Sequence, residues 1–249
     1  MSLSALIFDV DGTLAETERD GHRVAFNHAF KSLGLPWCWS VELYGNLLAI
    51  GGGKERLKYY LTNFHPDFTF DDDFIVKVYQ LKNKYFQQLI TENKISLRPG
   101  VIRLITEAKE SNIKMAIAST SGIDNVEALI NHIFPAHLQD CFAVIVAGDM
   151  VAQKKPAPSI YLLALQKLQL PPQECLAIED TAVGLRAAKG AGLTTVITVN
   201  DYTLHDDFTG ADLILNNLGE PSLPFSVIAG DSYGETFFNL NLAKSLNEL

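Results

Sequence analysis

From Leu97-Arg98-Pro99-Gly100 to about residue 215, short apolar runs take turns with stretches of helical periodicity, and few architectures accept that alternation. The runs fall at 114–118, 143–147, 175–178 and 194–199, while 101–110, 159–168 and 183–190 carry apolar residues at helical intervals. A strand that is apolar along its whole length has no face for water, which is the condition of a parallel strand covered by helices on both sides. Ala5-Leu6-Ile7-Phe8 has the same character, and 213–215 is expected to close the sheet as an edge strand. The expected fold is α/β, with a doubly wound parallel sheet.

Between the first strand and Leu97 the pattern changes. A polar stretch, Glu16-Thr17-Glu18-Arg19-Asp20-Gly21, leads into helical periodicity at 24–30, 56–61 and 74–79, with Asp71-Asp72-Asp73 placed as an acidic first turn. This region reads as all-helical. The expected organisation is a core of residues 1–16 and 96–249, interrupted by a helical cap over 17–95. The tail from about Pro221 gives no clear elements.

Charge and cysteine usage narrow the function. A net charge of −9 and a pI near 5.1 disfavour a broad surface for nucleic acid or anionic membrane. Any bound phosphate must be held locally, by a few cations, backbone amides and a metal. Cys38, Cys141 and Cys175 have no CxxC pairing, which disfavours a structural zinc or a disulfide framework. No apolar stretch approaches the ~20 residues that span a bilayer. The expectation is a monomer acting on a small molecule, with no nucleic-acid or membrane partner. Its expected location is the cytoplasm, or the chloroplast stroma if a transit peptide has been removed.

The chemistry lies at strand ends, where open α/β sheets bind their ligands. Asp9 and Asp11, in Phe8-Asp9-Val10-Asp11-Gly12-Thr13, follow the first strand. Two carboxylates so placed suit a Mg²⁺-dependent phosphoryl transfer, one attacking phosphorus and the other handling the leaving group's proton. Ser119, Thr120 and Ser121 follow the second strand and can hold phosphoryl oxygens. Lys155, after the third, can neutralise nucleophile and phosphate, and Glu179-Asp180, ending the fourth, can complete a Mg²⁺ site. Each has a plainer reading when taken singly: Asp-x-Asp as a turn, Ser-Thr-Ser and Glu-Asp-Thr as helix caps, Lys154-Lys155 as a solvated pair. Their order, each at a strand terminus, favours a single site.

In that order these four motifs resemble those of the haloacid dehalogenase-like hydrolase superfamily. The resemblance implies a Rossmann-like core, Mg²⁺ dependence and an aspartyl-phosphate intermediate. It places the nucleophile on Asp9, the general acid/base on Asp11 and phosphate anchoring on Ser119 and Lys155. Metal binding falls to Asp9, the Asp11 carbonyl and Asp180, with Glu179 assisting.

The helical insert resembles the cap of the subfamily that contains β-phosphoglucomutase and sugar-phosphate phosphatases. Ala15-Glu16-Thr17-Glu18, His22-Arg23, 51–56 and Ser119-Thr120-Ser121 resemble the CbbY-like phosphatases in particular, which implies action on xylulose 1,5-bisphosphate. A bisphosphate needs a second anionic pocket. Gly51-Gly52-Gly53 with Lys54 and Arg56 offers exposed amides and two cations for it, although the same residues also read as a turn and a solvated helix face. Glu18 and His22 are candidates for sugar hydroxyls, and Thr120 and Ser121 for substrate contact. The alternatives are a sugar phosphomutase, a phosphoglycolate phosphatase, or a non-catalytic phosphosugar-binding protein.

Overall fold

The computed structural model describes residues 3–248. The chain divides into two compact units, one made of the residues up to Ala15 together with those from Leu97 onward, the other Glu16–Ser96. Strand β1 (Ala5–Phe8) belongs to the first, and the chain then enters the second through a single π-helical turn, Glu18–His22.

The second unit is helical throughout: α1 (Arg23–Ser32), α2 (Val41–Leu47), α3 (Gly53–Phe64) and α4 (Asp72–Thr91). Side chains start two of these helices. Ser40 accepts from Leu43 N–H ahead of α2, and Asp71 from Phe74 N–H ahead of α4, each satisfying a donor that the first turn leaves over. Helix α1 lies along α4. The interior is aromatic, with Trp39 packed on Phe26, Phe30, Tyr44 and Tyr60 at centroid distances of 4.5 to 5.7 Å.

The first unit continues with α5 (Val101–Glu110), β2 (Lys114–Ala118), α6 (Ile123–Ile133), β3 (Phe142–Val146), α7 (Ser159–Leu168), β4 (Cys175–Glu179) and α8 (Ala182–Gly190). It ends with β5 (Thr194–Thr198), β6 (Leu213–Leu215), β7 (Val227–Gly230) and α9 (Leu240–Asn247). The sheet order is β3-β2-β1-β4-β5-β6-β7, parallel except for β7, which runs antiparallel to β6. Alternation within each strand serves both faces. Ala5, Ile7, Ala116, Ala118, Cys175 and Ala177 pack under α7 and α8, while α5 and α9 pack against β2 and β4.

One expectation needs correction. Leu213–Leu215 is not the edge strand, because β7 pairs outside it. The tail, where the sequence gives no clear elements, supplies both β7 and α9. All four residues of β7 are exposed, so its short apolar run, Val227-Ile228-Ala229, lies uncovered at the sheet edge and has no buried alternate face. No helix among the described residues is long and apolar enough to cross a membrane.

Candidate active site

Parallel strands held in register end at one level. Ile7 is paired with Ala116 and Ala177, and Phe8 with Ile117 and Ile178. The chain beyond them therefore delivers Asp9, Ser119 and Glu179-Asp180 side by side, on neighbouring strands ~4.8 Å apart. Backbone N–H of Asp9 donates to the Ile178 carbonyl at 3.0 Å, which ties the start of the loop to β4.

Lys155, on the loop between β3 and α7, reaches into this group with a side chain only 6% exposed. Its Nζ lies 2.6 Å from Asp9 Oδ1 and 2.5 Å from Glu179 Oε1. The Tyr161 hydroxyl, from α7, donates to the same Glu179 oxygen at 2.5 Å. Gly184 makes room for that carboxylate, since a Cβ there would stand 2.0 Å from Glu179 Oε2. On the other side, Ser121 Oγ donates to Asp11 Oδ2 at 2.5 Å, and buried Ser119 accepts from Ser121 N–H at 3.1 Å. Thr120, between them, is exposed. Of the cap readings, only Thr181 behaves as one, accepting from Gly184 N–H at the start of α8.

The electrostatics follow from burial. Desolvation pushes the Asp9 carboxyl up to about 8; Lys155 opposes this, and Glu179 and Asp11 add to it. Burial, with Asp9 and Glu179 nearby, likewise holds the Asp180 carboxyl well above the usual range, despite Arg98 and Lys155. For the Lys155 ammonium, burial acts downward, but Asp9 and Glu179 outweigh it and raise its pKa. One lysine is thus not enough to hold both of these buried carboxyls in their ionised form.

One carboxylate oxygen each from Asp9, Glu179 and Asp180 lies within 4.8 Å of the others. This is a hard, all-oxygen donor set, the kind that Mg²⁺ takes. Ionising Asp9 and Asp180 in this buried setting needs the positive charge that a divalent cation would bring. The residues fit the metal.

Four further residues draw attention that no motif gave them. Asn200, after β5, donates from Nδ2 to Asp180 Oδ2 at 2.7 Å, while the Thr13 hydroxyl is 3.4 Å from Asp180 Oδ1. Arg98, buried, donates to the carbonyls of Gly12, Thr198, Val199 and Asn216. Tyr161 is described above. Lys82 belongs to the helical unit.

Within that unit Glu18 and Arg56 meet at Tyr44. Its hydroxyl donates to Glu18 Oε2 at 2.5 Å and accepts from Arg56 Nη1 at 2.9 Å. Arg56 also donates to the Leu47 carbonyl and is 7% exposed, so it stands apart from the solvated face of Lys54 and Lys58. Lys54 is exposed and lies over the Tyr79 ring at 5.3 Å. His22 is buried, its ring 4.0 Å from that of Phe86. Lys82, 4% exposed, stands 5.0 to 5.7 Å from the ring centres of Phe86, Tyr79 and Phe26.

Known proteins bear on this arrangement directly. The model of the haloacid dehalogenase-like hydrolases matches residues 3–192. Protein CbbY of Cereibacter sphaeroides is 46% identical over 88% of this chain and 94% of its own, and Protein CbbY of Rhodobacter capsulatus 49% identical over 85% and 92%. A crystal structure of an Asp→Asn variant of CbbY from Rhodobacter sphaeroides, in complex with xylulose-(1,5)bisphosphate, has 46% identity and a TM-score of 0.80. It covers 88% of this chain and 98% of that one. Fold, site and kinship define the protein as a phosphoric monoester hydrolase. The chain belongs to the haloacid dehalogenase-like hydrolase family, and its CbbY-like character extends across both of its units.

Proposed function

We propose that this enzyme is a Mg²⁺-dependent sugar-phosphate phosphatase that converts xylulose 1,5-bisphosphate to xylulose 5-phosphate through an aspartyl-phosphate. The observation that carries the substrate is the bisphosphate bound to a CbbY of 46% identity. Asp9 attacks phosphorus in line, and Asp11 protonates the departing sugar oxygen. Asp11 then takes a proton from water, which attacks the aspartyl-phosphate and restores Asp9. Lys155 holds one oxygen of Asp9 and, with Ser119, Thr120 and Ser121, offsets charge on the phosphoryl group. Asp9, Asp180 and the Asp11 carbonyl would hold Mg²⁺, with Glu179 in support. Bound Mg²⁺ would supply the positive charge that keeps Asp9 ionised and polarises the phosphoryl oxygens. In the helical unit, Lys54 and Arg56 are assigned to the phosphate that stays, and Glu18 and His22 to sugar hydroxyls.

The test is inorganic phosphate release from a panel of sugar mono- and bisphosphates and phosphoglycolate, with isomer formation followed in parallel. Xylulose 1,5-bisphosphate should lead, with one phosphate released per molecule and no isomer. Asp9→Asn should abolish release while keeping the ligand bound. Equal turnover of phosphoglycolate, or accumulation of a phosphate isomer, would sink the reading.

A further inference from the structure

We propose that Asn200 is a positioning residue that sets the affinity of the centre for its divalent cation by fixing the carboxylate of Asp180. The inference rests on the Mg²⁺ reading above and goes beyond it. Asp180 is almost fully buried, and a carboxylate that must serve a cation needs its plane held by neutral donors. Asn200 is such a donor, with Nδ2 2.7 Å from Asp180 Oδ2.

What makes it more than a passing contact is that its amide cannot turn over. Asn200 Oδ1 accepts from Tyr202 N–H at 2.9 Å, so a flipped amide would set oxygen against carboxylate and NH₂ against N–H. The backbone beneath it is pinned as well. Its own N–H donates to Thr203 Oγ1, and its carbonyl accepts from Thr203 and Leu204 N–H groups. Arg98 then grips the two preceding carbonyls, of Thr198 and Val199, together with that of Gly12. One guanidinium thereby locks both segments that flank Asp180.

Gly12 completes the case. Its φ of +83° suits glycine, and a Cβ there would stand 2.2 Å from Asp180 Oδ2 and 2.7 Å from Asn200 Nδ2. The loop after β1 thus lies directly on the Asn200–Asp180 pair. A side chain at position 12 would displace one or both of them.

The variant to make is Asn200→Ser. Its hydroxyl can keep the turn by accepting from Tyr202 N–H but is too short to reach Asp180. Mg²⁺ binding would be measured by calorimetry on the whole protein without substrate, alongside the Mg²⁺ dependence of kcat. The expected result is Mg²⁺ binding weakened on the order of 10-fold, with kcat recovering at saturating Mg²⁺ and KM for the sugar phosphate unchanged. Wild-type Mg²⁺ affinity in the variant would overturn the assignment, whatever happens to its thermal stability. Should Asn200→Ser fail to fold, Asn200→Thr, which keeps the same turn, is read in the same way. If the wild-type protein itself bound no Mg²⁺, the metal reading would fall first, which separates the two failures.

Discussion

Lys155 is wedged between two carboxylates, and replacing it with Met leaves both without their cation. Breaking a buried pair in this way costs roughly 3–5 kcal/mol, and loss of a charge aimed at the reacting group costs on the order of 10²–10³ in kcat. Lys155→Met is therefore expected to lower the melting temperature and nearly abolish phosphate release, as unfolding scans and a phosphate assay would show. A stable, active Met variant would mean that the lysine is incidental. At this scale the site was legible in part. Asp9, Asp11, Ser119, Lys155 and Asp180 announce themselves because each follows an apolar strand or sits in a motif. Asn200 and Tyr161 do not, since nothing local to Val199-Asn200-Asp201 or Ile160-Tyr161-Leu162 distinguishes a side chain reaching a carboxylate from one facing water. Lys82 is hidden for a related reason: a lysine amid polar helix residues reads as solvated, and only packing brings the rings of Phe26, Tyr79 and Phe86 around it.

Strands buried on both faces are the elements that sequence patterning finds most readily, and β1, β2, β4 and β5 are of that kind. The same reasoning did not single out β7, a run of only three apolar residues before Gly230 that is exposed along its whole length. Helix α9 is a sharper loss, because its apolar spacing was present: Leu240, Leu242, Ala243 and Leu246 are all buried. Its shortness and the glycines before it obscured the signal. The helix nonetheless covers part of the sheet against α5 and β4. Leu242→Ala, at a side chain 1% exposed, is expected to cost about 2–5 kcal/mol in denaturant unfolding. Its effect on the KM for substrate should be negligible, since the helix supplies no group to the centre. A cost under 0.5 kcal/mol, by the ordinary surface measure, would show α9 to be dispensable to the core.

The molecule as a whole should feel the cost of ionising its buried carboxyls. A carboxyl whose folded pKa lies above its unfolded value favours the protonated native state, so stability falls as pH rises between the two. For Asp9 that window runs from 3.8 to about 8, and Asp180 shifts in the same direction. The metal-free protein is therefore expected to melt lower at pH 8 than at pH 6. Mg²⁺ should raise the melting temperature more at the higher pH, releasing protons as it binds. A Mg²⁺ effect independent of pH would contradict this electrostatic picture. The place of β1 in the sheet also has a temporal meaning. Strand β1 leaves the ribosome before either of the strands it pairs with, which begin only at Lys114 and Cys175. During synthesis it waits with both flanks unpaired while Glu16–Ser96, a compact unit of local contacts, emerges and can settle alone. A nascent or truncated chain thus holds no reaction centre until Asp180 has emerged, and the cell is spared a half-built hydrolase.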